Sequence, residues 1–215
     1  MLTIIRETEV EPLEIEVTRK KIESPTVSHK TYDNGVSYIQ IGEFDEVTLD
    51  QFTEALAEEK ASGMKGLILD LRDNPGGILT VCTKVAEKFV PEGVIVSTRN
   101  REGKQEFFRS SLAEAKYPLA VLVNGGSASA SEIVAGAIQD TGVGTLIGTK
   151  TYGKGSVQAV IPMANKDGMK LTIAKYYTPN DRCIDGIGIE PDLTIELEKG
   201  SDNQLAKAIE VLQGK

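Results

Sequence analysis

Three short apolar runs, each ending in a glycine-rich turn, constrain this chain more than any other feature. They are Leu67–Leu71 before Asp73-Asn-Pro-Gly-Gly77, Leu119–Val123 before Asn124-Gly-Gly-Ser-Ala-Ser-Ala-Ser131, and Leu146–Gly148 before Thr149-Lys-Thr-Tyr-Gly-Lys-Gly155. Turns of this kind let backbone and small side chains approach a ligand closely. Helical spacing separates such runs, at Leu49–Lys60, Leu79–Phe89, Ser131–Gln139 and Asn203–Leu212, the first stopping near Gly63. Further strands are expected at Val36–Ile41, Val94–Thr98, Val157–Ile161 and Met169–Tyr177. Strands alternating with helices, interrupted by hairpins, predict an α/β fold with a mixed sheet.

The N-terminus reads differently. Residues 2–22 alternate apolar and polar around a Glu11-Pro12 break, which predicts a β-hairpin. A polar stretch around Pro25, residues 24–30, reads as a linker, and a turn at Asp33-Asn34-Gly35 opens a main domain over 31–215.

Composition narrows the chemistry. A formal net charge of −8 over 215 residues argues against a nucleic-acid partner. No apolar run reaches the roughly 20 residues that cross a bilayer, and Met1-Leu-Thr-Ile-Ile-Arg-Glu is not a secretory signal. Cys82 and Cys183 are far apart and lack metal-ligand spacing, so free thiols and no metal or cofactor are expected. His29 is the only histidine, in what reads as a solvated loop. A multi-histidine zinc site is thereby excluded, and a Ser-His-Asp site would hang on one exposed residue. A hydrolase here needs another base.

Two residues are candidates for chemistry, each with a plainer alternative. Ser129 lies in a turn between a strand and a helix, where outward N–H groups stabilise an oxyanion. Ser129-Ala-Ser-Glu132 also matches a capping box, which would make it a helix cap. Lys154, between two glycines in apolar surroundings, is a base if buried and an ordinary turn lysine if not. Gly148-x4-Gly153-Lys154 approaches a phosphate-binding loop, but Gly155 stands where a magnesium-binding Ser or Thr is needed. Ser62-Gly-Met-Lys65 sits at a helix end rather than a helix start, and no Gly-x-Ser-x-Gly elbow exists.

Together the segments are more specific. Ser127-Ala-Ser-Ala-Ser-Glu-Ile-Val-Ala-Gly-Ala-Ile-Gln-Asp140, Thr151-Tyr-Gly-Lys-Gly-Ser-Val-Gln158, Leu69-Asp-Leu-Arg-Asp-Asn-Pro-Gly-Gly77 and Tyr176-Tyr-Thr-Pro-Asn180 with Gly186-Ile-Gly-Ile-Glu-Pro-Asp192 closely resemble the carboxyl-terminal processing (tail-specific) peptidases. The resemblance covers residues 31–212. It implies the middle serine, Ser129, as nucleophile, Lys154 as base, and Gln158 as the residue positioning that lysine. It also implies an oxyanion hole from the N–H of Ala130 and of Gly76, with Gly77 as the alternative. The implied reaction is acyl transfer through an acyl-enzyme, with cleavage rising as Lys154 loses its proton.

The fold so implied is the mixed-sheet core of the ClpP and crotonase type. The implied partners are protein substrates with apolar C-termini, with a homo-oligomer allowed in the full-length protein, outside the cytoplasm. These peptidases carry a PDZ domain before the core. Residues 1–23 are expected to be its last strands, which would leave substrate capture weakened and the core's activity open. A non-catalytic ligand-binding domain and a crotonase-like acyl-CoA enzyme are the competing classes. The intact Ser129, Lys154 and Gln158 weigh against the first, and missing pantetheine or nucleotide signals against the second.

Overall fold

The computed structural model describes residues 1–20, 24–32 and 34–214. Its elements are β1 (Leu2–Ile4), β2 (Leu13–Ile15), β3 (Val27–Thr31), β4 (Val36–Ile41), α1 (Thr48–Ala61), β5 (Gly66–Asp70), α2 (Leu79–Ala86) and β6 (Gly93–Asn100). They continue with β7 (Gln105–Ser110), β8 (Leu119–Val123), α3 (Ala130–Thr141), β9 (Thr145–Gly148), β10 (Ser156–Pro162), β11 (Gly168–Tyr177), β12 (Leu193–Thr194) and α4 (Asn203–Gln213).

The central sheet has the order β12-β9-β8-β5-β4-β3, parallel throughout except for β3. Its apolar runs are buried on both faces, as parallel strands require. Leu67, Leu69, Val121 and Val123 pack into the larger core with α1, α2 and α3; Ile68, Ala120 and Leu122 pack into a smaller one with Ala208 and Leu212 of α4. A second, antiparallel sheet, β10-β11-β6-β7, contributes Val96 and Tyr176 to the larger core. The mixed α/β architecture is the one expected.

The N-terminal hairpin is also present, as β1 and β2 paired Leu2 to Ile15. Residues 21–23 and Asp33 of the expected turn lie outside the described residues. The expected linker differs: Val27–Thr31 is a strand paired antiparallel with β4. Its polarity misleads because it is an edge strand anchored to α1 by polar contacts. His29 is therefore no solvated loop residue. Its Nδ1 lies 2.8 Å from Oε1 of Glu59, which is buried, and Thr31 donates to Oε2 of the same group at 2.7 Å. Both cysteines are free, Cys82 buried and Cys183 half-buried.

One polar network fastens α4 to the end of β5. Arg72 donates to buried Asp70 and, from both terminal nitrogens, to Asp202 at 2.8 and 2.9 Å. Asp202 also caps α4 by accepting from the Leu205 N–H at 3.0 Å. The Arg72 hydrogen bond holds the Asp202 carboxyl below its ordinary range. A depressed carboxyl stabilises the fold fully above its unfolded pKa, and this is lost as pH falls through the folded value. Asp202→Asn keeps a capping side chain but loses the charge facing Arg72, so it is expected to lower the urea midpoint near neutral pH by an amount worth up to about 1 kcal/mol, as for a partly exposed ion pair. The gap to the parent should close in a titration below the ordinary aspartate range. A gap unchanged down to strongly acidic pH would sink this account.

Candidate active site

In a parallel sheet the loops that follow the strands all leave from one edge, and ligands bind there. Here β9, β8 and β5 are neighbours. Their following turns, containing Lys154, Ser129 and Gly76 respectively, emerge side by side with the serine turn in the middle. The topology alone assembles what the sequence separates.

The middle turn is stitched to the turn after β5. The Ser127 hydroxyl donates to the Leu71 carbonyl at 2.7 Å, and the Ser131 hydroxyl to the Asn74 carbonyl at 2.9 Å. The Ala128 N–H reaches the same Asn74 oxygen at 3.0 Å. Asn74, fully buried, also binds the Ile41 carbonyl through Nδ2 and accepts the Gly76 N–H on Oδ1. Ser127 and Ser131 are thus buried structural hydroxyls, whereas Ser129 is half-buried at the surface of the turn. The three serines, equivalent by composition, are separated by the structure.

Ser129 sits at the N-cap of α3 with φ 55° and ψ −111°. A non-glycine residue there is strained by about 1–3 kcal/mol, and such strain gathers at functional sites. The strain is held by Glu132. Its side chain is fully buried and forms the capping box with Ser129, accepting the Ser129 N–H on Oε2 at 2.9 Å. The same Oε2 accepts the Lys154 N–H at 2.8 Å. Oε1 takes the Gly153 N–H at 2.7 Å and the Thr151 hydroxyl. Two backbone nitrogens sharing one oxygen at hydrogen-bond length are less than about 6 Å apart. One carboxyl group therefore fixes the serine and lysine backbones against each other. Sequence inspection sees Glu132 only as a capping residue; its second partner, in a turn about twenty residues on, has no local signal.

The remaining candidates fall out as follows. Lys154 is half-buried between the buried glycines 153 and 155, and no hydrogen bond or ion pair engages its ammonium among the described residues. No hydrogen bond joins it to the Ser129 hydroxyl or to Gln158. Catalytic contacts of this kind are often open before substrate binds. Gln158 is exposed on β10 at a register shift, opposite Thr172. Ala130 opens α3, so its N–H has no partner within the helix.

Gly76 lies against both residues: a Cβ placed on it would fall 2.8 Å from the Ser129 Cβ and 2.9 Å from the Ala130 nitrogen. Its own N–H is spent on Asn74. Gly77 forms a parallel bridge with Phe44, in which Gly76 O and Ile78 N–H turn toward Phe44. The Gly77 N–H consequently faces the opposite side and makes no hydrogen bond among the described residues. His29, on the outer strand β3, is two strands removed from β5 and takes no part.

Comparison with known proteins fits this assembly. Residues 35–195 match the model of peptidase family S41. The chain belongs to peptidase family S41. Among curated members, the carboxy-terminal-processing protease of Bartonella bacilliformis is 41% identical over 202 residues, covering 91% of this chain and 46% of the relative. The carboxyl-terminal-processing protease of Synechocystis sp. is 39% identical over 216 residues, covering 94% and 51%. The chain thus spans about half the length of these S41 relatives. In structure it is similar to a photosystem II D1 C-terminal processing protease, with TM-score 0.76 and 30% identity over 91% of this chain and 54% of that one. A lipoprotein from Streptococcus agalactiae shares the fold at TM-score 0.72 with 16% identity, over 89% and 70% of the two chains.

Proposed function

We propose that this S41 chain is the catalytic core of a carboxyl-terminal processing serine endopeptidase, with Ser129 as nucleophile and Lys154 as general base. The observation that carries the reading is the Glu132 oxygen shared by the Ser129 and Lys154 backbone nitrogens. A second support is that, of the serines in the turn, Ser127 and Ser131 spend their hydroxyls on structure.

In the proposed reaction, Lys154 removes the Ser129 proton as Oγ attacks a peptide carbonyl. The tetrahedral oxyanion is received by N–H groups at the start of α3 and in the turn after β5, which we assign to Ala130 and Gly77. Gly76, the residue expected for the second donor, then acts as the spacer that allows the two turns to touch. Lys154 returns the proton to the leaving amine, and water releases the acyl group. Gln158 is assigned to orient the lysine once substrate closes the site. We further propose, as the resemblance of the sequence motifs implies, that the substrates are proteins with apolar C-termini met outside the cytoplasm and that the hairpin β1–β2 belongs to a PDZ-type module.

The test is active-site labelling followed by kinetics. A fluorophosphonate should modify the parent at Ser129, identified by peptide mapping, and Ser129→Ala should remove both labelling and cleavage of a tailed peptide. Lys154→Ala should lower kcat/KM by at least ~10³, and the double variant should lose no more, because the two act as a unit. Parent-like cleavage by both single variants would refute the dyad. A chain that folds but is inert to the probe would favour a binding role for the shared fold.

A further inference from the structure

We infer that a cavity beside the oxyanion turn receives the substrate side chain on the residue whose carbonyl is attacked, and that it selects a bulky apolar one. This rests on the dyad reading above and extends it to specificity. The cavity encloses about 300 Å³ between the antiparallel sheet and the start of α2. Its apolar lining comes from Leu79, Phe108, Val157, Ile173 and Ala174.

Two of these residues tie the cavity to the chemistry. Leu79 lies three residues after Gly76, which abuts Ser129, and Val157 lies three residues after Lys154. Three residues of extended chain reach no more than about 11 Å. Both lips of the reactive site therefore run directly into the walls of the same cavity. A side chain projecting from the attacked residue has this space within reach.

The walls also have the character of a selective pocket. Leu79, Phe108 and Val157 pack against the main core, so the rear of the cavity is held in place. Ala174 pairs with Val157 on β10 and with Asn100 on β6, and its methyl group leaves open the volume that a larger residue would fill. A register shift opposite Val157–Gln158 brings the consecutive residues Ile173 and Ala174 to the same cavity. At the mouth, Lys104 and Glu106 carry opposite charges, so the rim favours neither an acidic nor a basic side chain. Burial of an unpaired charge against such walls would be costly, whereas each buried methylene contributes about 0.8 kcal/mol.

A second cavity, of about 290 Å³ at Arg99, Lys175 and Tyr177, is a poorer match. It shares Asn100, Ile173 and Ala174 with the first but lacks Leu79 and Val157, the residues that follow the two reactive turns, and its Arg99 and Lys175 are already paired with Asp181 and Asp185.

The experiment measures second-order labelling of Ser129 by peptidyl diphenyl phosphonates that carry an Ala, Leu, Phe or Asp side chain at the position bearing phosphorus. The parent should react with the Leu and Phe probes at least ~10-fold faster than with Ala, and slowest with Asp. Ala174→Phe fills the cavity and should reduce the Leu-to-Ala ratio at least ~10-fold; an aromatic residue is well tolerated within a strand. Phe108→Leu enlarges the cavity and should raise the Phe-to-Leu ratio, which covers the case in which the first variant does not fold. If Ser129 is labelled but neither variant moves its ratio, the pocket is elsewhere and the inference falls. If Ser129 resists even the side-chain-free fluorophosphonate, the dyad reading fails first and the pocket falls with it.

Discussion

Glu132→Ala is expected to abolish measurable peptide cleavage and to cost on the order of 3–5 kcal/mol of stability, while Glu132→Gln should fall between it and the parent. The Glu132 side chain is fully buried and accepts from Ser129, Thr151, Gly153 and Lys154. Removing it leaves three backbone N–H donors without partners, at about 1–3 kcal/mol each before relaxation. It also releases the strained Ser129 backbone and unties the Lys154 turn from α3. Gln behaves differently because only one end of its amide accepts. With its oxygen toward Ser129 and Lys154, both nitrogens of the proposed dyad stay anchored. Its NH₂ then faces Thr151, whose hydroxyl already accepts the Ile189 N–H and can accept once more, so the Gly153 N–H and the Thr151 O–H lose their acceptor while the other two N–H groups keep theirs. Paired measurements of kcat/KM and urea midpoints on the three proteins should follow the order parent, Gln, Ala. Parent-like cleavage by Glu132→Ala would show that the shared oxygen does not hold the site.

Much of this fold was legible because the central strands are buried on both faces. Leu67–Leu71 and Leu119–Val123 have no solvent side to vary, so they read as unbroken apolar runs that need helices above and below. What the sequence hides lies where polar edges pair. Gln105–Ser110 forms β7 at the margin of the second sheet with mostly exposed side chains, and β12 is only two residues long. Val27–Thr31 was obscured in the same way, since His29 and Thr31 are satisfied by Glu59 some thirty residues away. The site divides along the same line. Glycine turns after apolar strands announce a functional edge, but which serine is free depends on Leu71 and Asn74 accepting from its neighbours. Resemblance to a family implies Ser129 without that knowledge; the hydrogen bonding adds that the hydroxyls of Ser127 and Ser131 are committed to structure. The second donor we propose follows suit, because Gly76 and Gly77 are told apart by the bond to Asn74 and the bridge to Phe44, neither of which sequence shows.

Gly76→Ala should reduce fluorophosphonate labelling of Ser129 by at least ~10², a loss in keeping with disabling one oxyanion-hole donor. A glycine can conceal two separate penalties. Gly63, with φ +84°, and Gly76, with φ +105°, both adopt backbone that a side chain strains. At Gly63 an added Cβ meets nothing within 4 Å, so Gly63→Ala incurs only the conformational cost, about 1–2 kcal/mol, and sits away from the site. At Gly76 the same Cβ falls 2.7 Å from the Ala128 carbonyl oxygen, 2.8 Å from the Ser129 Cβ and 2.9 Å from the Ala130 nitrogen. These obstacles are backbone atoms or the Cβ of Ser129, so none can swing aside, and relief requires the β5 turn and the serine turn to separate. Separation moves the Gly77 and Ala130 N–H groups apart, just where the proposed reaction needs both to meet one oxygen. The two variants should therefore show comparable conformational penalties on thermal unfolding, with a further collision cost at Gly76, and diverge sharply in labelling. Equal labelling of Ser129 in both would mean that the contact between the two turns positions nothing the reaction uses.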